Sequence, residues 1–247
     1  MQDTGKLKKL VDWMRESTHT VIFTGAGMST EAGLPDFRSK TGLWKAKDPR
    51  KLASIEAMYK NPEEFYEFYR MRLATLGEAN PHQGHKILAD WEKRRIIQAI
   101  ITQNVDGLHH RAGSNRVIEL HGTLREALCL KCKKVYGSQV LEGGGIPRCE
   151  CGNMLKPGVI LFGEMLPQDA LYQADLESRR SHLFIVIGSS LEVSPANYFP
   201  LQARDTGAKL VIINMETTIM DEQADLVVRG KAGEVLVKVD DLLKNNL

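Results

Sequence analysis

Apolar residues in this chain follow two rhythms, one of short unbroken runs and one of positions spaced at helical intervals. Near the start, Leu7, Leu10, Val11 and Met14 recur at the spacing of a single helix face. The β-branched and aromatic run Thr20-Val21-Ile22-Phe23-Thr24 comes next and stops at Gly25, which predicts a buried strand feeding a glycine turn. Similar runs at 96–102, 117–120, 183–187, 210–213 and 226–228 predict further strands. Between them the pattern predicts helices over 62–76, 81–94, 167–180, 195–204 and 233–243, most opening on a proline, which suits a first helical turn. Strands apolar on both sides and separated by helices imply an α/β fold with a parallel sheet covered on both faces. Two stretches, 34–60 and 129–155, fit that pattern poorly and are expected to be insertions at the mouth of the sheet. No internal repeat is present.

Composition narrows the function classes. A chain of 247 residues with 43% hydrophobic content can bury a sizeable core. Its 33 basic and 31 acidic residues nearly cancel, so the bulk charge points to neither a nucleic-acid nor an anionic-membrane partner. The first residues, MQDTGKLKKLVDWMRES, lack the apolar segment of a secretory signal, and runs such as 183–187 are too short to span a bilayer. The expectation is a cytoplasmic protein. The four cysteines form two close pairs, which in a reducing compartment favours metal ligation over disulfides.

Candidate chemistry gathers where strands end. Gly25-Ala26-Gly27 follows the first strand, and such a turn lets the backbone approach a pyrophosphate, although Thr30 stands where a third glycine would complete a dinucleotide fingerprint. The plainer reading is a turn that only packs a helix on a strand. Asp36-Phe37-Arg38 follows on a loop close to the same place. After the run at 96–102 come Gln103, Asn104, Val105 and Asp106, whose amides and carboxylate can bond a ribose or a carboxamide, or can simply cap a helix. His121 ends the next strand and can serve as acid or base near neutral pH. Gly188, Ser189, Ser190 and Asn214 put further small and polar groups at strand ends. Cys129-Leu130-Lys131-Cys132 and Cys149-Glu150-Cys151 read as a ribbon around tetrahedral Zn²⁺, one ion per chain, structural because four thiolates leave no open position.

Taken together these motifs resemble the sirtuin family. The resemblance is carried by 25–29, 33–38, 102–106, His121-Gly122, the two cysteine pairs, the Pro157-to-Glu164 segment and 188–191, in that order. It implies a single catalytic domain over 1–247. Within it, a Rossmann-like part would comprise about 1–37, 80–127 and 156–247, and a small module would comprise a helical, cofactor-loop part at 38–79 and the zinc ribbon at 128–155. It implies NAD as co-substrate and acyl-lysine segments of other proteins as partners; a monomer is the favoured state. Gly25, Ala26, Gly27 and Thr30 would face the phosphates, and Asp36, Phe37 and Arg38 would form the cofactor loop. Gln103 and Asn104 would contact ribose, and Val105 and Asp106 the nicotinamide. Gly188, Ser189, Ser190, Asn214 and Ala232 would line the adenosine side. The peptide would pair with Gly163-Glu164 and Leu191-Glu192-Val193, while Ile160 and Phe162 would wall an apolar tunnel for the lysine stem. His121, Asn104 and Asp106 would be catalytic, with His121 the base in a transfer of the acyl group to ADP-ribose. Tyr69 and Arg72 are similar to the Tyr-x-x-Arg of the sirtuin branch that removes succinyl and malonyl groups, and at i and i+3 they share a helix face, the plainer reading being two surface or packing residues on an amphipathic helix. Two other functions are compatible with parts of the pattern: a protein mono-ADP-ribosyltransferase using the same NAD site, and a zinc-ribbon nucleic-acid binder using Lys131, Lys133 and Lys134.

Overall fold

A computed structural model describes residues 4–37, 42 and 48–245. Arg38, expected in the cofactor loop, lies outside the described residues. Six strands form one parallel sheet: β1 (Thr20–Thr24), β2 (Ala99–Thr102), β3 (Val117–Glu119), β7 (Leu183–Ile187), β8 (Lys209–Asn214) and β9 (Leu226–Arg229). Their order is β3-β2-β1-β7-β8-β9. The direction of winding reverses between β1 and β7, and ligands of open α/β sheets bind in the crevice at such a reversal, beyond the carboxyl ends. Pairing aligns those ends: Thr24 lies opposite Thr102 and Ile187, Thr102 opposite Glu119, and Ile187 opposite Ile213.

Both faces of this sheet are buried, which accounts for the unbroken apolar strands. On one face, α1 (Thr4–Glu16), α5 (Gln83–Lys93) and α9 (Ala232–Lys244) pack Leu7, Leu10, Leu88, Trp91, Val235 and Leu236 against Ile22, Ile100 and Ile185. On the other, α7 (Gln168–Arg180) and α8 (Tyr198–Asp205) cover Phe23, Ile101, Phe184 and Ile212. A second core joins the inserted stretches to neighbouring parts of the chain at 62–78, 122–129 and 155–159. There α2 (Pro49–Leu52), α3 (Ile55–Lys60) and α4 (Pro62–Glu78) pack Met58, Phe65, Tyr66 and Tyr69 against an antiparallel sheet of order β5-β4-β6, formed by β4 (Gly122–Cys129), β5 (Val135–Gly137) and β6 (Leu155–Val159). No helix among the described residues is long and apolar enough to cross a membrane.

The expected elements shift in three places. The strand predicted at 96–102 begins only at Ala99, because Arg95 takes a left-handed φ of 61° after α5 and Ile96 and Ile97 lie in the ensuing turn, Ile97 buried in the first core. The helix predicted from 195 begins at Tyr198, since Pro195 and its neighbours form a turn closed by Tyr198 N donating to Pro195 O at 3.0 Å. The helix predicted from 81 begins at Gln83, where the His82 ring accepts the Gly84 N–H at 3.0 Å.

A cluster of imidazoles lies behind the sheet's carboxyl end. The His82 and His85 rings are 4.5 Å apart and those of His85 and His109 are 4.9 Å apart, with His109 on the short helix α6 (Leu108–Arg111). Thr24 Oγ1 donates to Thr102 Oγ1 and so accepts from His109 Nε2 at 3.0 Å. Neither nitrogen of His85, nor Nδ1 of His109, has a hydrogen-bond partner among the described residues. Burial, reinforced by the neighbouring histidines, pushes His85 down to about 2 and His109 down to about 3, so both are neutral in the folded protein.

In the unfolded chain the same rings titrate near 6.5. Below that pH the unfolded state binds two protons that the folded state refuses, so stability is retained above about pH 6.5 and falls as pH drops, by up to roughly 2.7 kcal/mol per pH unit. Urea unfolding at pH 7.5, 6 and 5 should show this loss, and His85→Asn should about halve its slope. Equal slopes for the variant and the wild type would remove the cluster as its cause.

Candidate active site

The turn after β1 is locked to the turn after β7. Gly25 N donates to Ile187 O at 3.1 Å and Gly27 N to Gly188 O at 2.8 Å. A Cβ on Gly27 would lie 2.8 Å from the Gly188 Cα, and one on Gly188, whose φ is +62°, would lie 2.3 Å from the Met28 nitrogen. Glycine is therefore required here by contact between two loops, before any ligand is considered. Beyond Gly25 the chain makes two 3₁₀ turns, Ala26–Met28 and Thr30–Ala32, and ends them at Gly33 with a φ of 87°. Thr30 Oγ1 donates to Gly27 O at 3.0 Å, so the residue replacing the third glycine closes the turn on itself. Ala232 is brought to this loop by Glu31, whose carboxylate accepts the Gly233 N–H at 2.6 Å at the start of α9.

Three buried polar side chains form the floor. Asn104 Nδ2 donates to Gly25 O at 3.0 Å and to Ser29 Oγ at 3.2 Å, and Ser29 Oγ donates to Asp106 Oδ2 at 2.7 Å. The other Asp106 oxygen accepts the Leu108 N–H at 2.9 Å, at the first residue of α6. Burial raises the pKa of Asp106, and the opposing influences are those two hydrogen bonds and the charges of Arg72 and Arg111. Ser29 lies within the 25–29 motif, which by itself assigns it no role. Its signal was a hydroxyl immediately after a buried methionine in a tight turn, where a polar group needs a partner. Val105, between Asn104 and Asp106, packs on the second core and so ties this floor to the inserted module.

Gln103 bridges to the nucleotide's other expected flank, since its Nε2 donates to Ser189 Oγ at 3.3 Å and Ser189 Oγ accepts the Leu191 N–H at 3.2 Å. Asn214 Nδ2 donates to Glu216 O at 2.8 Å, holding the turn after β8, and Ser190 is half-buried beside Ser189. The backbone carbonyl of Gln103 lies 3.0 Å from His121 Nδ1. A carbonyl only accepts, so Nδ1 is a protonated nitrogen, and in the neutral form of the ring Nε2 is the basic one. The His121 carbonyl in turn accepts the Ile160 N–H at 2.8 Å.

The inserted helix α4 reaches the same place. Tyr69 is buried, which pushes its phenol up to about 12. The Arg72 guanidinium lies 5.3 Å from the Phe37 ring, 5.8 Å from that of Phe68 and 5.9 Å from that of Tyr69. Burial lowers the Arg72 pKa while Tyr69 and Asp106 raise it. Asp36 is half-buried next to Phe37. On the expected peptide side, Phe162 is exposed, Ile160 and Val193 are half-buried, and Glu192 is exposed. Gly163 and Leu191 take left-handed φ values of 92° and 60°. The Glu164 carboxylate is turned into the protein, accepting from Lys156 Nζ and from the Leu161 N–H, each at 2.8 Å.

Cys129, Cys132, Cys149 and Cys151 come together with all four sulfurs within 4.8 Å of one another. Cys129 and Cys151 are 3.5 Å apart, and Cys132 and Cys149 3.4 Å. Four thiolates at about 2.3 Å from Zn²⁺ would have sulfurs about 3.8 Å apart, so the cluster fits a structural zinc ion. The single-residue spacing of the second pair is accommodated by a tight turn at Gly152, whose N–H donates to Cys149 O at 2.8 Å with a φ of 83°.

A parallel sheet with its polar side chains gathered at the winding reversal, flanked by a four-cysteine ribbon, defines a Rossmann-like α/β protein with an inserted zinc module. The Sir2 family model matches residues 25–195, and the chain belongs to that family. It is 53% identical over 236 residues to NAD-dependent protein deacetylase 1 of Geobacillus kaustophilus (strain HTA426), covering 95% of this chain and 97% of that protein. It is 44% identical over 245 residues to NAD-dependent protein deacylase 2 of Archaeoglobus fulgidus (strain ATCC 49558 / DSM 4304 / JCM 9628 / NBRC 100126 / VC-16), covering 97% and 96% of the two. A solved Sir2 structure with p53 peptide and NAD+ superposes with a TM-score of 0.88 at 41% identity, covering 96% of this chain and 98% of that one.

Because the four thiolates join strands that are otherwise short, metal binding and folding of the ribbon should be one event. Protein purified without added metal should contain one zinc per chain by elemental analysis, and a strong chelator should expose the second core to hydrogen exchange while the six-stranded sheet stays protected. A metal-free protein with a fully protected ribbon would contradict this.

Proposed function

We propose that this chain is an NAD-dependent protein lysine deacylase in which His121 is the general base. The observation that carries the reading is the His121 imidazole, fixed by the Gln103 carbonyl at 3.0 Å with its basic nitrogen at Nε2. It stands at the same strand ends as the Asn104–Ser29–Asp106 floor. Ala26, Gly27 and Thr30 would bind the pyrophosphate of NAD, Gln103 and Asn104 the nearer ribose, and Val105 and Asp106 the nicotinamide carboxamide, whose N–H groups a carboxylate can accept. Gly188, Ser189, Ser190, Asn214 and Ala232 would take the adenosine half. An acylated lysine would enter between Ile160 and Phe162, its backbone paired with Gly163-Glu164 and 191–193 as an added strand.

The acyl oxygen attacks ribose C1′ as the bond to nicotinamide breaks. His121 Nε2 then takes the proton of a ribose hydroxyl, whose oxygen attacks the former acyl carbon. Addition of water to that carbon and loss of the amine release free lysine and leave O-acyl-ADP-ribose. A neutral imidazole suits this step because a lysine or arginine in its place would already be protonated. The four-cysteine zinc site cross-links the ribbon and takes no part in the chemistry.

His121→Ala should lower the deacylation rate by about 10² to 10⁴, the usual contribution of a positioned base, and leave NAD affinity within a few-fold. Nicotinamide leaves before the proton transfer, so exchange of labelled nicotinamide into NAD should survive better than turnover. Deacylation within a few-fold of wild type would mean that another group is the base. Mass spectrometry of the products separates this reading from protein ADP-ribosylation, which would leave ADP-ribose on the peptide.

Acyl choice turns on Tyr69 and Arg72. A phenol and a guanidinium held together, with the guanidinium beside Phe37, can grip the carboxylate of a succinyl chain. Arg72→Met should therefore reduce kcat/KM for a succinylated peptide at least about ten-fold more than for its acetylated counterpart. A negligible succinyl rate in wild type, or an equal effect on both peptides, would dismiss the grip.

A further inference from the structure

We propose that Lys156 is a positioning residue for the acylated peptide, because its buried ammonium, paired with Glu164, shapes the segment 159–164 on which the peptide backbone would lie. This rests on the deacylase reading above. Lys156 belongs to β6 and its side chain is 3% exposed, while that of Glu164 is 21% exposed. The ammonium donates to Glu164 Oε2 at 2.8 Å and to the Val159 carbonyl. The same carboxylate oxygen accepts the Leu161 N–H at 2.8 Å. One ion pair thus grips the segment at its start, its middle and its end.

The rest of the segment is tied outward to the candidate site. Ile160 N donates to the His121 carbonyl at 2.8 Å, Phe162 N to Ala53 O at 2.9 Å, and Ile55 N to Phe162 O at 3.4 Å. Glu164 N closes back on Leu161 O at 3.0 Å through Gly163, whose φ is +92°. A shift of the segment is therefore passed both to the backbone of His121 and to the start of α3. Stability alone does not account for the pair, since replacing a buried ion pair with apolar residues of similar volume is often neutral or stabilising. What apolar residues cannot do is bond the Val159 C=O and the Leu161 N–H, and those two groups set where Ile160, Phe162 and Gly163 stand.

The test compares four forms: wild type, Lys156→Arg, Glu164→Gln, and Lys156→Met combined with Glu164→Leu, which removes both charges and keeps apolar volume. Steady-state kinetics with an acetyl-lysine peptide and with NAD are read alongside hydrogen exchange of residues 159–164. In the double variant, peptide KM should rise about ten-fold or more while KM for NAD stays within about two-fold, with faster exchange over the segment. Glu164→Gln, which keeps an acceptor for Leu161, should fall between, and Lys156→Arg should restore most of the peptide KM. A folded double variant with unchanged peptide KM overturns the proposal. Should the double variant not fold, an unchanged peptide KM in Glu164→Gln overturns it instead. A wild type that removes no acyl group refutes the deacylase reading separately, and exchange over 159–164 that is the same in wild type and variants refutes the clamp itself.

Discussion

The open end of the sheet depends on backbone pressed against backbone. Where the turns after β1 and β7 meet, neither Gly27 nor Gly188 has room for a single carbon, and the two loops share hydrogen bonds across the winding reversal. That contact fixes the carbonyl of Gly25, on which Asn104 hangs, and the position of Ser29, through which Asn104 reaches Asp106. A buried carboxylate with a raised pKa is tolerable only because each of its oxygens has a donor. The polar floor is thus a consequence of the loop contact, and its cost in desolvation is offset by geometry that the glycines impose.

The inserted module is joined to this floor through a few residues with two allegiances. Val105 belongs to the site by sequence and to the second core by packing. On α4, Arg72 lies beside the rings of Phe37 and Tyr69, while Tyr66 donates to Leu155 O at 2.8 Å and Arg70 bonds the carbonyls of Leu141 and Gly145 in the ribbon. One helix therefore touches both the metal-binding ribbon and the candidate acyl pocket. The two sheets meet at His121, the last residue before β4, so its imidazole is fixed by one part of the fold and its carbonyl by the other.

Much of this was legible beforehand, and the exceptions have physical causes. The strands at 20–24 and 183–187 were plain because burial on both faces removes all polar interruption. The overrun at 96–97 arose because Ile96 and Ile97 are apolar for packing in a turn. Strand β4 was hidden by an irregularity between Gly122 and Ala127 that breaks the alternation of its faces. The cysteine cluster was readable from spacing, since few other arrangements bring two such pairs together. Lys156, Glu31 and His85 were not readable, because a charged or titratable residue in a local pattern looks solvated until its distant partners are known. Glu164 is expected to lie beside substrate through its backbone, and what the sequence does not show is that its carboxylate bonds the Leu161 N–H.

The bond between Glu31 and Gly233 spans 202 residues of chain. It joins the first turn of the site to the last helix, and α9 also provides the surface against which α1 packs. During synthesis α1 and the glycine turn must therefore wait for α9 before these contacts can form. A nascent chain lacking α9 holds an apolar sheet face with one of its covers missing and a glycine turn without its anchor at Gly233. The price of building the site from segments so far apart is long-range closure, which is slow relative to local helix formation and leaves the uncovered face exposed to chaperones or aggregation until α9 has been made.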